Sequence, residues 1–157
     1  FPDSLKYQTK KLARTVYGGG GIMPDFFVPI DTTQYTDYHR NIVAKGVVIK
    51  TTMKFIESHR KELQSKYKKF ETFNDKFEIS DEILANMQTL AEQEKIKFDE
   101  KQYRKSLPLI KTQLKALIAR DLWDMNEYFQ IMNTTDSSVL QALKVLNEGA
   151  YEKVVRL

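Results

Sequence analysis

The sequence contains no cysteine, which excludes disulfide bonds, thiol chemistry and cysteine-ligated zinc. It has only two histidines, His39 and His59, and both fall in one predicted helical stretch. Neighbours on one face of a helix are three or four residues apart, so this pair is too widely spaced to bind one metal ion from a single helix. We therefore expect neither a metal site nor a cofactor.

The sequence also has little excess charge. Its 25 Lys and Arg residues against 21 Asp and Glu residues give a net charge of +4, and basic residues are mixed with acidic ones. The basic cluster KYKKF at residues 66–70 is followed at once by Glu71, Asp75 and Glu78. A nucleic-acid-binding surface is a basic stripe with few acids, so we expect no nucleic-acid partner. No apolar run approaches the roughly twenty residues that cross a bilayer, so no membrane span is expected.

The chain begins FPDSLKYQTKK, with no initiator Met and no basic segment followed by an apolar one. We therefore expect it to be a piece of a longer protein. With 157 residues, 41% of them hydrophobic, it is long enough for one main core and an appendage.

Glycine is scarce, yet four of the six glycines are adjacent at Gly18–Gly21. Such a run has a large backbone entropy to lose on folding, so it marks a place that needs positive φ or close approach of other atoms. The flanks RTVY (14–17) and IMPDFFVPI (22–30) are rich in β-branched and aromatic residues, and Pro24 and Pro29 oppose a helix. Both flanks therefore predict strands.

Helical periodicity begins at Thr36 and continues to the end of the chain. A first helix is predicted from about Thr36 to about Tyr67, with a buried stripe at Ile42, Gly46, Ile49, Met53 and Ile56, widened by Val43 and Val47. A short helix follows and places three aromatic rings in the core, those of Phe70, Phe73 and Phe77.

Three further stretches complete the predicted bundle. Ser80 caps a helix that buries Ile83, Met87, Leu90 and Ala91. The longest helix covers residues 98–133, and Pro108 predicts a kink or a fresh start after Ser106. Lys111 and Lys115 are expected to face water. The buried stripe is at Tyr103, Leu107, Ile110, Leu114 and Leu117, and it then shifts to Leu122, Met125, Phe129 and Met132. The last helix is capped by Asp136 or Ser137, ends at Gly149 and buries Val139, Leu143 and Leu146. The predicted fold is mainly α, a bundle of four to five helices preceded by a short β-hairpin or strand segment.

No catalytic motif is present. The glycine run is not a G-x-G-x-x-G opening a helix, no G-K-[ST] follows it, and no G-x-S-x-G elbow occurs. The carboxylate pairs Asp81/Glu82 and Asp99/Glu100 lie at predicted helix starts, where the helix dipole accounts for them. The residues therefore give no catalytic, cofactor-binding or metal-binding position.

The segment RTVYGGGGIMPDFFVPIDTT (14–33) resembles the closing segment of the peptidase core in carboxyl-terminal processing proteases, the tail-specific serine peptidases of family S41. In that family a strand with an arginine, a glycine-rich turn, Ile, a variable residue, Pro-Asp and a hydrophobic strand end the catalytic domain. Here the matching residues are Arg14, Gly18–Gly21, Ile22, Met23, Pro24, Asp25 and Phe26–Val28. The resemblance implies that the glycine run is the tight turn between the last strands of that core.

Later segments look like the helical C-terminal extension of the bacterial, envelope-directed branch of the family. They are YTDYHRNIVAKGVVIKTTM (35–53), SLPLIKTQLKALIARDLWDMNEYFQIMN (106–133) and LQALKVLNEGAYEKV (140–154). The resemblance implies that residues 1–34 end the peptidase core, that residues 35–157 form a helical C-terminal domain, and that the protein is in the periplasm or cell envelope.

The resemblance also implies a function for the longer protein. The family's Ser nucleophile, Lys general base and substrate-binding PDZ domain would lie upstream of Phe1, so no catalytic residue is carried over. This chain would be a non-catalytic, inactive portion of a Ser-Lys peptidase that cleaves proteins near their C-termini. Its partners would be the upstream PDZ and catalytic domains and the protein substrates. The alternative is a free-standing helical protein–protein interaction module that uses Tyr35, Tyr38 and Tyr128 as an exposed patch.

Overall fold

The structure, a computed structural model, describes residues 2–11, 13–19, 24–30 and 33–155. For residues 153–155 it describes the backbone only. The chain divides into two compact units. The first, called here the helical unit, is Asp31–Asp136, and the second, called the terminal unit, combines Phe1–Ile30 with Ser137–Leu157. The division at residues 34 and 35 that the resemblance implies concerns the domains of a longer protein, and it stays a prediction.

The helical unit contains six helices around one apolar core. They are α1 (Asp37–Ala44), α2 (Val47–Lys66), α3 (Phe70–Lys76), α4 (Asp81–Gln93), α5 (Glu100–Leu122) and α6 (Met125–Met132). Helix α5 packs against α1, α2 and α6, and α2 also packs against α4. The centre of the core is formed by fully buried side chains of all but α6, among them Ile42, Val47, Phe73, Ile83, Met87, Ile110, Leu114 and Ile118.

The terminal unit contains a 3-10 turn (Asp3–Leu5), strands β1 (Lys6–Gln8) and β2 (Thr15–Tyr17), and helices α7 (Ser137–Asn147) and α8 (Ala150–Val155). The strands pair antiparallel, with Tyr7 opposite Val16. A mainly helical fold preceded by a short β-hairpin is therefore confirmed. The described residues form eight α-helices, however, and not four or five.

One additional helix arises at Gly46, where the single helix predicted from Thr36 to Tyr67 is interrupted. Gly46 has φ +70°, a left-handed conformation that glycine adopts without the steric cost of a Cβ, and its N–H donates to the carbonyl of Val43. The interruption changes which face of α2 is buried. Ile49 and Met53, both predicted to be buried, are 45% and 60% exposed. The predicted burial of Val47 and Ile56 is confirmed, and Val48 and Leu63 are buried as well.

A second interruption separates α5 from α6 at Trp123. Asp124 caps α6 through its side chain, which accepts a hydrogen bond from the N–H of Met125. Pro108 lies inside a continuous α5, so the alternative of a fresh helix after Ser106 is wrong. The predicted burial of Ile110, Leu114 and Leu117 is confirmed, as is that of Phe70, Phe73 and Phe77. Met125 and Phe129 are instead 44% and 52% exposed, because the new helix has its own orientation.

Two other predictions about exposure are wrong. On α7, Leu143 and Leu146 are 51% and 59% exposed and Val145 is the buried residue, so the helix presents a different face from the predicted one. On α5, Lys115 does not face water freely. Its ammonium donates to the carbonyl of Asn74, 2.6 Å away, because the C-terminal end of α3 lies beside this part of α5.

Candidate functional site

The motif segment of the terminal unit is closed by an ion pair. Arg14, just before β2, pairs its guanidinium with the carboxylate of Asp25, just after the glycine run. The backbone N–H of Arg14 also donates to Thr9 Oγ1 at 3.1 Å. The structure therefore brings together two residues of the motif that are separated in sequence by β2 and the glycine run.

The glycine run does not connect the two strands of the hairpin. It follows β2, and between β1 and β2 the Thr9 N–H donates to the Arg14 carbonyl at 3.0 Å. Gly19 has φ +87°, and a Cβ on Gly18 would lie only 2.9 Å from Tyr7 Cε2. The first two glycines are thus explained by positive φ and by close approach. Gly20, Gly21, Ile22 and Met23 lie outside the described residues.

The strand predicted at Phe26–Val28 does not form. Residues 24–30 are described without strand structure, and the flanking Pro24 and Pro29 have no N–H to donate to a ladder. Within the described part of the chain the only sheet is the two-stranded one. The prediction was wrong because extended sequence character forms a strand only where another strand supplies hydrogen-bond partners.

Apolar side chains of the terminal unit are unusually exposed. Phe27 and Ile30 are 80% and 87% exposed, and Leu140, Leu143 and Leu146 of α7 are each about half exposed. Residues Pro24–Val28 and one side of α7 line an open groove of about 620 Å³, called here the terminal groove. Of these exposed side chains, Phe27 and Leu146 line the groove. Exposed apolar surface commonly marks a place where another protein docks.

The hairpin is equally open. All three residues of β1 are exposed, as are two of the three residues of β2, including Tyr7 and Val16. A two-stranded sheet is marginally stable in water by itself, and its free edges can accept a further strand. The hairpin therefore offers exposed edges and side chains to a further strand.

Three serine hydroxyls in the helical unit serve its structure. Buried Ser106 on α5 donates to the carbonyl of Gln34 at 2.6 Å and lies 2.8 Å from the hydroxyl of Thr36, which caps α1. Ser58 donates to the carbonyl of Lys54, and Ser80 caps α4 as predicted. These three serines are engaged in anchoring or capping helices.

The two histidines lie on different helices. His39 of α1 is buried, with Nε2 3.0 Å from Oε1 of Gln113 and the ring of Tyr35 edge-on at 4.7 Å. Burial lowers the pKa of His39, and its hydrogen bond to Gln113 opposes that shift. His59 of α2 has Nδ1 3.0 Å from the carbonyl of Phe55 and stacks on that ring. The described residues contain no group of three His, Cys, Asp or Glu side chains placed to hold a metal ion.

The tyrosine patch of the alternative interpretation is only partly exposed. Tyr38 is buried, which raises the pKa of its hydroxyl to about 12, and its ring contacts Phe98 and Tyr103 edge-on. Tyr128 is half-buried, and Tyr35 is 40% exposed. The alternation of polar and apolar positions could not distinguish Tyr38 from an exposed residue, because a tyrosine is compatible with both environments.

Other sequence features have structural places. Asp81 and Glu82 lie in the first turn of α4, and Asp99 caps α5 by accepting from the N–H of Gln102 at 2.9 Å, as expected for acids at helix starts. In the KYKKF cluster, Tyr67 and Phe70 are buried and the lysines are exposed. Through the part of the chain that is described, none of the helices has the combined length and apolarity needed to span a membrane.

No curated protein and no solved structure matches the chain. A family of unknown function (DUF8443) matches residues 38–124, which run from α1 through α5 and make up more than half of the sequence. The matched residues lie wholly within the helical unit, and the motif segment 14–33 is outside them. The chain therefore belongs to the DUF8443 family.

Proposed function

We propose that the chain is the non-catalytic C-terminal portion of a carboxyl-terminal processing serine peptidase, located in the periplasm or cell envelope. In this proposal residues 1–34 end the peptidase core, and the terminal unit packs against the rest of the catalytic domain. The observation that carries the proposal is the open apolar surface of the terminal unit, formed beside the residues that resemble the end of the S41 peptidase core.

The hairpin supports this proposal because it is a very small sheet. Each strand has only three residues, and the two strands form a single ladder among the described residues. A strand of a catalytic domain would complete that ladder and cover Tyr7 and Val16. Phe27 and Leu146, which line the terminal groove, would be covered by the same domain.

The helical unit supports a non-catalytic role. It has its own core, its buried histidine pairs with a neutral amide, and Ser106 is bonded to a backbone carbonyl inside the fold. A serine peptidase of the resembled type needs a serine activated by an unprotonated lysine. We therefore expect the chain alone to give no covalent serine adduct with a fluorophosphonate probe and no cleavage of unstructured protein substrates.

The most direct test of parentage is the reading frame upstream of Phe1. The proposal predicts a PDZ-like segment followed by a catalytic domain containing a serine and, after it, a lysine that are both required for activity. An upstream region lacking these features would overturn the proposal and favour the free-standing interaction module.

Docking is tested separately by titrating the chain with the upstream PDZ and catalytic portion, produced as a second polypeptide. Leu143→Gln on α7 should weaken binding, because it replaces an exposed apolar side chain by a polar one of similar size. Lys144→Gln, at the next and exposed position of the same helix, is the matched control. Equal affinity of the two variants would contradict a docking role for α7.

A further inference from the structure

A cleft of about 400 Å³ lies in the helical unit, beside the middle of α5. Its apolar walls are formed by Phe77 and Ile79, in the segment between α3 and α4, and by Ile131 of α6, and all three side chains are buried. Lys111 and Lys115, one turn apart on α5, also line it. Small-molecule sites are typically clefts of roughly 300–1,000 Å³. This cleft has that size, and it combines the three apolar side chains with a larger number of polar and charged ones.

Lys115 is the polar group held most firmly in the cleft. Its ammonium donates to the carbonyl oxygen of Asn74, in the last turn of α3, at a distance of 2.6 Å. This hydrogen bond holds the side chain in place. Burial lowers the pKa of Lys115, and the nearby carboxylates of Glu78 and Asp75 partly oppose that shift. An ammonium has three N–H donors, and one of them is used by Asn74, so two can donate to a further acceptor.

Lys111 carries the unpaired positive charge of the cleft. Lys111, Lys115 and Glu78 are the ionisable groups lining it, and the carboxylates of Glu78 and Asp75 both act on Lys115. Lys111 makes no hydrogen bond or ion pair among the interactions described for the structure. A negative group beside Lys115 would recover part of the solvation that its partly buried ammonium has lost.

We propose that this cleft binds a small carboxylate carried on an aliphatic chain. The carboxylate accepts hydrogen bonds from Lys115 and is attracted by Lys111, and the aliphatic chain packs on Phe77, Ile79 and Ile131. This binding site lies in the helical unit alone and does not depend on the proposed peptidase parentage.

Methyl NMR of the full chain tests the proposal, with octanoate as the probe. Octanoate should produce saturable shifts of the Ile79 and Ile131 methyl resonances, and octanol and octylamine should produce much smaller ones at the same concentration. Absence of saturable shifts with octanoate would overturn the proposal. Equal binding of octanol, or tighter binding of octylamine, would overturn it as well.

Variants locate the binding site. Lys115→Met keeps the length and apolar stem of the side chain and removes its charge, and a lost charge-assisted hydrogen bond should raise the dissociation constant for octanoate about tenfold or more. Lys105→Met, on an exposed position of the same helix, should leave the constant unchanged. If Lys115→Met fails to fold, the comparison of octanoate with octanol and octylamine on the unaltered chain still decides. A folded Lys115→Met variant with unchanged affinity would contradict the proposal.

Discussion

His39 is a buried imidazole whose environment favours its neutral form. Its Nδ1 atom is buried without a hydrogen-bond partner among the described groups, and its Nε2 contacts the amide oxygen of Gln113. This contact requires Nε2 to carry the proton, because an amide oxygen only accepts. The imidazole thereby links α1 to α5. Two neighbouring hydrogen bonds join the same helices: Thr36 pairs with Ser106, and the N–H of Tyr38 donates to Gln102.

The lowered pKa of His39 predicts a pH dependence of stability. The imidazole of His39 binds a proton near pH 6.5 in the unfolded chain and only at lower pH in the folded chain. Its contribution to the free energy of unfolding is therefore complete above about pH 6.5. This contribution is lost as the pH falls from that value through the folded-state pKa. Urea unfolding at pH 7.5 and pH 5.5 should therefore show a smaller loss of stability in His39→Gln than in the unaltered chain. Identical losses would contradict this interpretation.

Leu114 tests the centre of the core. Its side chain is fully buried on α5, so Leu114→Ala removes transfer free energy and leaves a cavity, at a cost of roughly 2–5 kcal/mol. That is a large part of the roughly 5–15 kcal/mol that stabilises a typical domain. Lys105→Ala, on the exposed side of the same helix, should change the free energy of unfolding by no more than about 0.5 kcal/mol. Chemical denaturation measures both, and similar values for the two variants would contradict the assigned core.

At the scale of elements, the separation of α1 from α2 depends on Gly46. A Cβ added there meets no atom within 4 Å, so the cost of Gly46→Ala comes from its φ of +70° and not from packing. The left-handed conformation costs a residue with a Cβ roughly 1–2 kcal/mol, and asparagine tolerates it better than alanine. We expect Gly46→Ala to lower the melting temperature and Gly46→Asn to lower it less. A more stable Gly46→Ala variant would indicate that α1 and α2 can merge into one helix.

The elements that could be predicted from the sequence depend on local interactions. Ser80 and Asp99 cap their helices through N–H groups three residues ahead. Phe70 and Phe73 reach the core from one face of α3, and Phe77 is buried directly after the helix ends. The helix break at Gly46 was missed because the apolar pattern continues across it. The contact of Lys115 with Asn74 was missed because it joins residues on two helices, which no periodicity within α5 records.

The terminal unit was predicted less well for a related reason. The sequence correctly indicated extended structure at residues 15–17, but it also indicated a strand at Phe26–Val28 and a buried face at Leu143 and Leu146. Most of these apolar side chains are exposed in the described structure. A sequence pattern reports that a face is apolar, and it cannot report whether the covering element belongs to the same chain.

At the scale of the whole molecule, the family match and the motif resemblance concern different parts of the chain. The match to the family of unknown function lies in the helical unit, which has a closed core. The resemblance to the peptidase core lies in residues 14–33, and the described part of that segment belongs mainly to the terminal unit, with its exposed hairpin and groove. We therefore expect the two units to differ in stability when the chain is studied alone.

Hydrogen exchange of a chain verified as monomeric by light scattering tests the docking proposal most directly. In the isolated chain the amides of β1 and β2 should exchange much faster than those of Ile110–Leu122, because a short two-stranded sheet opens easily and the core of α5 does not. Adding the upstream PDZ and catalytic portion should slow exchange in β1, β2 and α7. Protection of β1 and β2 equal to that of α5 in the isolated monomer, or no gain of protection on mixing, would contradict the proposal that a catalytic domain covers the terminal unit.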